Sequence, residues 1–135
     1  MTDSRPHVLC VEDNQANAKL ITQIYKKRPH IELLIVGNAE EGLRLLKEQV
    51  FGLILMDINL PGINGFEAVK TLRQEGEQTP IIAISANALP ADISYALQNG
   101  FDAYLTKPVN VLELLAHTDK FLGQQDSVPA EAPIV

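Results

Sequence analysis

Four short apolar runs, unbroken by alternating polar positions, constrain this 135-residue chain more than any other feature. They are His7 to Glu12, Ile31 to Val36, Leu53 to Met56 and Pro80 to Ser85. A shorter fifth run, Ala103 to Leu105, precedes Thr106-Lys107-Pro108. Val, Ile and Leu without alternation read as strands covered on both faces, the situation in a parallel sheet. Between the runs lie helical patterns. Asn14 to Arg28 sets Leu20, Ile21, Ile24 and Tyr25 on one face and closes on Lys26, Lys27 and Arg28, charges that suit the last turn of a helix. Asn38-Ala39-Glu40-Glu41 reads as a capping-box variant opening a helix to about Gln49. Asn64 to Gln74 repeats the pattern with Phe66, Val69 and Leu72. Pro90 to Asn99 starts with Pro in its first turn and stops at Gly100. Asn110 to Leu122 aligns Val111, Leu114, Leu115, Thr118 and Phe121. Strand then helix, five times, predicts an α/β fold with a parallel sheet and right-handed crossovers.

The length suits one domain over residues 7–122, with 1–6 as an N-terminal extension. Residues 123–135 (GQQDSVPAEAPIV) read as a flexible polar tail with two prolines. Cys10 has no cysteine partner and sits in an apolar run, where a thiol is ordinarily a small buried hydrophobe. No uncharged apolar stretch approaches the roughly 20 residues of a membrane span, and residues 1–6 lack a signal peptide's basic start. The expectation is a soluble, cytoplasmic protein without membrane contact. Acids outnumber bases 17 to 11, a formal net charge of -6. That balance argues against direct nucleic-acid binding, which needs clustered Lys and Arg.

In an open parallel sheet, ligands bind beyond the carboxyl ends of the strands. The first run ends in Glu12-Asp13, the third in Asp57 and the fourth in Ser85, while the fifth leads into Lys107. Each has an ordinary reading taken singly. Asp13 or Asn14 could cap a helix, Asp57 could open a turn, Ser85 could serve a loop and Lys107 could be a surface lysine. Taken together, polar residues from four strand ends are predicted to converge on one edge. Two carboxylates 4 Å apart repel by about 4 kcal/mol at an effective dielectric of 20, so the cluster calls for a cation. Hard oxygen donors without His or Cys suit Mg²⁺ or Mn²⁺ rather than zinc. A carboxylate nucleophile, a metal, a lysine and a hydroxyl are the parts needed for phosphoryl transfer to an aspartate.

At this point the chain resembles the receiver domain of two-component response regulators, the chemotaxis-regulator-like fold. The matching stretches are VEDN (11–14), LILMDINLPGINGFE (53–67), PIIAISA (80–86) and DAYLTKP (102–108), and the likeness covers about residues 7–122. It implies a flavodoxin-like (βα)5 three-layer sandwich with a five-stranded sheet in the order 2-1-3-4-5. It implies Asp57 as phosphoacceptor, Asp13 as direct metal ligand and Glu12 as the acid that holds the ion through water. The Asn59 backbone carbonyl would complete the ligands to Mg²⁺, with Mn²⁺ able to substitute. Lys107 would pair with the phosphoryl group and precede a cis Pro108. Ser85 would move toward a phosphoryl oxygen, and the Tyr104 ring would then turn inward. The family's acid pair is Glu-Asp in this chain and its switch hydroxyl a serine, which lacks the methyl that restricts a threonine rotamer.

The resemblance also implies a signalling switch rather than a turnover enzyme. A sensor histidine kinase or histidine phosphotransfer protein would donate the phosphoryl group. A downstream protein effector would read the face of the fourth helix, fifth strand and fifth helix. Asn59 and Asn87 could influence the water that hydrolyses the aspartyl phosphate. Three rivals are weaker. A haloacid-dehalogenase-type phosphatase places a second Asp two residues after its nucleophile, where this chain has Asn59. An FMN binder of the same topology needs a hydroxyl-rich phosphate loop where Glu12-Asp13 would repel phosphate. A degenerate receiver acting only as a binding module would usually lose a site residue, and none is missing. VEDNQANAKLI and AISANAL resemble receivers of hybrid kinases, whereas Met1 and the short tail suit a stand-alone protein.

Overall fold

The computed structural model describes residues 5–60 and 62–123; residues 1–4 of the expected 1–6 extension and residues 124–135 of the expected tail lie outside the described residues. Five strands alternate with five helices: β1 (His7–Val11), α1 (Gln15–Tyr25), β2 (Glu32–Val36), α2 (Ala39–Glu48), β3 (Leu53–Asp57), α3 (Gly65–Gln74), β4 (Ile81–Ser85), α4 (Pro90–Gln98), β5 (Ala103–Thr106) and α5 (Val111–Phe121). The strands form one parallel sheet in the order β2-β1-β3-β4-β5. All five residues of β3 and of β4 are buried, as expected for strands enclosed on both faces.

Two apolar layers flank the sheet. Leu9, Ile54, Met56, Ala68, Val69 and Leu72 belong to the layer under α2, α3 and α4. Val8, Ile21, Ile24, Leu55, Ile82 and Leu114 belong to the layer under α1 and α5. Alternate residues of one strand feed opposite layers, which is the period-2 pleat. Cys10 is wholly buried in the second layer, and that burial pushes its thiol pKa far upward.

Asparagine starts four of the helices. Asn14, Asn38, Asn64 and Asn110 each accept the backbone N–H three residues on, which satisfies a donor the helix itself cannot. Only Asn64 and Glu67 complete a reciprocal capping box. At Asn38 the reciprocal half is missing, and Glu41 approaches Arg44 at 3.6 Å instead. The expected α1 terminus also shifts. Lys26, Lys27 and Arg28 lie beyond the helix, their N–H groups bonded to carbonyls three residues back. Pro29 accounts for the stop, since the residue before a proline disfavours the α region. Arg28 is then free to reach α5, where Nε and Nη2 donate to Asp119 at 2.9 and 2.7 Å.

Gly65 sets the path of the chain after β3. A Cβ there would meet the Asp57 carbonyl oxygen at 2.7 Å and the Ile58 Cα at 2.8 Å. Only glycine lets α3 begin this close to the end of β3, and the Gly65 N–H uses the approach to donate to the Ile58 carbonyl at 3.0 Å. Helix α3 thereby starts directly beside Asp57.

Candidate functional site

The carboxyl ends of β1, β3, β4 and β5 share one edge of the sheet, and their polar residues meet there. Glu12 and Asp13 follow β1, Asp57 and Ser85 are the last residues of β3 and β4, and Lys107 follows β5. Asn14, not Asp13, caps α1, so the Asp13 carboxylate is left for the site. Ligand atoms of Glu12, Asp13 and Asp57 all lie within 4.8 Å of one another. Asp13 is exposed, while Asp57 and Glu12 are only 2% and 3% exposed.

Each oxygen has a definable role. Asp57 Oδ1 accepts the Asn59 N–H at 3.0 Å, and Oδ2 accepts Lys107 Nζ at 3.0 Å. Glu12 Oε2 accepts the Asn14 N–H at 3.2 Å. Glu12 Oε1 is buried without a hydrogen bond. Lys107 Nζ stands 3.5 Å from it, an ion-pair distance at which the geometry of a hydrogen bond is not met. Burial first, and the Asp57 charge second, push the Glu12 carboxyl above the ordinary value of 4.5. Burial pulls the Lys107 ammonium down, but its bond to Asp57 and the charges of Asp57 and Glu12 outweigh it and leave it raised.

One lysine among three carboxylates leaves the cluster two negative charges in excess. The donors are oxygen alone, one buried oxygen lacks a partner, and the exposed Asp13 side is open to water. A hard divalent cation such as Mg²⁺ fits this set, being small, oxygen-seeking and content to keep waters. Glu12, Asp13 and Asp57 are the carboxylates that could hold it.

Ser85, Tyr104 and Lys107 are linked through backbone groups. Ser85 is 1% exposed, and its Oγ accepts the Asn87 N–H at 3.1 Å, which leaves its own proton to donate elsewhere. The Lys107 N–H donates to the Ser85 carbonyl at 2.8 Å. Tyr104 O–H donates to the Asn87 carbonyl at 2.8 Å. A cavity of about 260 Å³ lies beside both, lined among others by Ile58, Phe66, Ser85, Asn87 and Tyr104. The Lys107–Pro108 peptide bond is cis. The residue that sequence reasoning undervalued is Asn87. It serves Ser85 with its N–H and Tyr104 with its carbonyl, main-chain roles that no side-chain pattern announces.

Known proteins resemble this chain in sequence and in fold. The family model described as "Response regulator receiver domain" matches residues 8–119. The polar-differentiation response regulator DivK of Brucella anthropi is 36% identical over 118 residues, covering 86% of this chain and 95% of DivK. The sensor histidine kinase GacS of Pseudomonas protegens is 33% identical over 128 residues; the match takes in 91% of this chain but only 14% of the kinase. Among solved structures, the receiver domain of sensor histidine kinase PA1611 from Pseudomonas aeruginosa superposes with a TM-score of 0.79 at 32% identity, covering 89% of this chain and 99% of that one. That structure has a magnesium ion coordinated in its active-site cleft.

Proposed function

The chain belongs to the response regulator receiver family, a phosphorylation-activated module of two-component signalling, and on that premise we propose that Asp57 takes a phosphoryl group from a phosphohistidine on a kinase or phosphotransfer partner. The observation that carries this reading is the Asp57 carboxylate itself. It is buried at a strand end, held from both sides by the Asn59 N–H and Lys107 Nζ, and clustered with two further acids.

The two donors fix the plane of the Asp57 carboxylate, so one oxygen can approach phosphorus in line. The O–P bond forms as the P–N bond to the donor histidine breaks, the bonding pair leaving with the imidazole nitrogen. A Mg²⁺ held by Glu12, Asp13, Asp57 and the Asn59 carbonyl would neutralise the charge on the transferred oxygens. Lys107 Nζ, already 3.0 Å from Oδ2, supplies a second cation to those oxygens. Ser85 turns its unspent O–H toward them. Because Asn87 joins Ser85 to Tyr104, displacing Ser85 loosens the Tyr104 hydroxyl and frees its ring for the adjacent cavity. The face of α4, β5 and α5 changes shape, and a protein effector reads it.

Under this reading the chain is a cytoplasmic switch with residues 7–122 as its working domain, and it turns over no external substrate. Intact-mass measurement after incubation with acetyl phosphate and Mg²⁺ tests it. One phosphoryl adduct is expected on the wild type, with none in EDTA and none on Asp57→Asn. An unmodified wild-type protein would overturn the proposal.

A further inference from the structure

We propose that the groove between α1 and the open edge of β2 receives an extended, acidic, apolar-anchored segment of a partner protein, which adds a strand beside β2. Two independent features frame this groove, one of charge and one of backbone.

The charge feature is in the sequence. No Asp or Glu occurs between Asn14 and Ile31, although the chain has 17 elsewhere. That stretch holds Lys19, Lys26, Lys27 and Arg28, so with an overall charge of -6 the rest of the chain is strongly anionic. Arg28 is engaged by Asp119. Lys19, Lys26 and Lys27 are exposed, and no acid among the described residues pairs with Lys26 or Lys27. Lys19, Thr22 and Lys26 recur at helical spacing, on the side of α1 where Thr22 and Lys26 line the groove.

The backbone feature comes from the topology. Strand β2 is an edge strand. The Glu32 N–H donates to the Pro6 carbonyl, and the Val36 carbonyl accepts the Glu12 N–H. Even-numbered residues of β2 therefore serve β1, and Leu33 and Ile35 turn their N–H and C=O groups to the open side. The side chains of Leu33 and Ile35 are half-buried and line a groove of about 350 Å³ together with Thr22, Lys26 and Pro29. Natural edge strands are commonly protected by Lys or Pro. In β2 neither occurs, and its one charge, Glu32, is paired with Arg5 at 3.1 Å.

A peptide strand satisfies both features at once. Its backbone would pair with Leu33 and Ile35, and the every-second side chains that face α1 would be apolar over the groove and acidic beside Lys26 and Lys27. A second copy fits less well, because antiparallel pairing of two β2 edges puts two basic α1 stretches on the same side of the joined sheet. A nucleic acid fits less well too, since it offers no strand to the edge and the chain as a whole is anionic.

The test uses the full chain and a short blocked peptide whose every second residue is alternately valine and glutamate, with threonine between, so that both types share one face; the same peptide with lysine for glutamate is the control. Hydrogen exchange of the Leu33 and Ile35 amides is followed by NMR, together with the affinity. The glutamate–valine peptide is expected to slow exchange at both amides, and the control peptide is not. The double variant Lys26→Glu/Lys27→Glu, both exposed positions, is expected to weaken binding by roughly 10-fold. Equal effects of the two peptides, or no slowing at Leu33 and Ile35, would overturn the proposal. So would slow exchange at these amides in the isolated chain, which would mean that its own residues cover the edge. Protection that grows with protein concentration would assign the edge to a second copy, and tighter competition by a DNA duplex would assign the patch to polyanions; either contradicts a peptide partner. Phosphoryl transfer plays no part in the result, which stands or falls apart from the role of Asp57.

Discussion

Glu12 is the residue at which folding and function conflict. Its carboxyl is 3% exposed, one oxygen has no hydrogen bond, and its pKa is raised by burial and by Asp57. A folded state that holds a proton more tightly than the unfolded chain is stabilised at low pH and loses that contribution as pH climbs through the raised value. In EDTA, urea unfolding is therefore expected to show stability falling as pH rises above 4.5 toward neutrality. Glu12→Gln removes the titrating group and should flatten that slope, while Mg²⁺ should restore stability to the wild type at neutral pH. An unchanged slope in Glu12→Gln would show that the cluster is not the source. Glu12 was legible as a site residue from its place after an apolar run. Its unpaired oxygen was not, because it depends on where Lys107, distant in sequence, comes to rest.

Among elements, the helix starts were readable and the helix-to-helix ties were not. Asparagine caps are local, three residues from their partners, so the sequence shows them directly. The ties connect distant segments. Tyr25 of α1 meets Thr118 of α5 at 2.7 Å in a buried hydrogen bond. Thr118 spends its own proton on the Leu114 carbonyl, so Tyr25 is the donor. Tyr25→Phe should cost about 1 kcal/mol, read from the urea midpoint. Arg73 at the end of α3 makes a larger tie. It donates to the carbonyls of Glu77, Thr79 and Gly100 and to the Asp102 carboxylate. The same Asp102 oxygen also accepts the Ile81 N–H at 2.8 Å, at the start of β4. Arg73→Ala should cost about 2–3 kcal/mol, read as a lower urea midpoint, with phosphorylation at low temperature retained. A midpoint that barely moves would mean that water replaces these bonds. Nothing in the sequence singles out Arg73, since its acceptors are mostly carbonyls that no motif marks.

At the scale of the whole molecule, the repeated alternation of apolar run and amphipathic segment was sufficient for the sheet, its parallel sense and its two covering layers. Strand order came from the family resemblance and not from periodicity, because the pattern of β3 or β4 says only that a strand is buried on both faces. The site was legible for the same reason as the fold. Glu12, Asp57, Ser85 and Lys107 stand at the ends of runs, and parallel strands bring such ends to one edge. The coupling through Asn87 was beyond the pattern, because main-chain atoms make it. The central claim is that Asp57 carries the covalent bond to phosphorus. Borohydride reduces an acyl phosphate to an alcohol, so treating the phosphorylated protein and sequencing its peptides by mass spectrometry locates the modified residue. Homoserine at position 57 is the expected result. The corresponding alcohol at position 12 or 13, with Asp57 intact, would contradict the account.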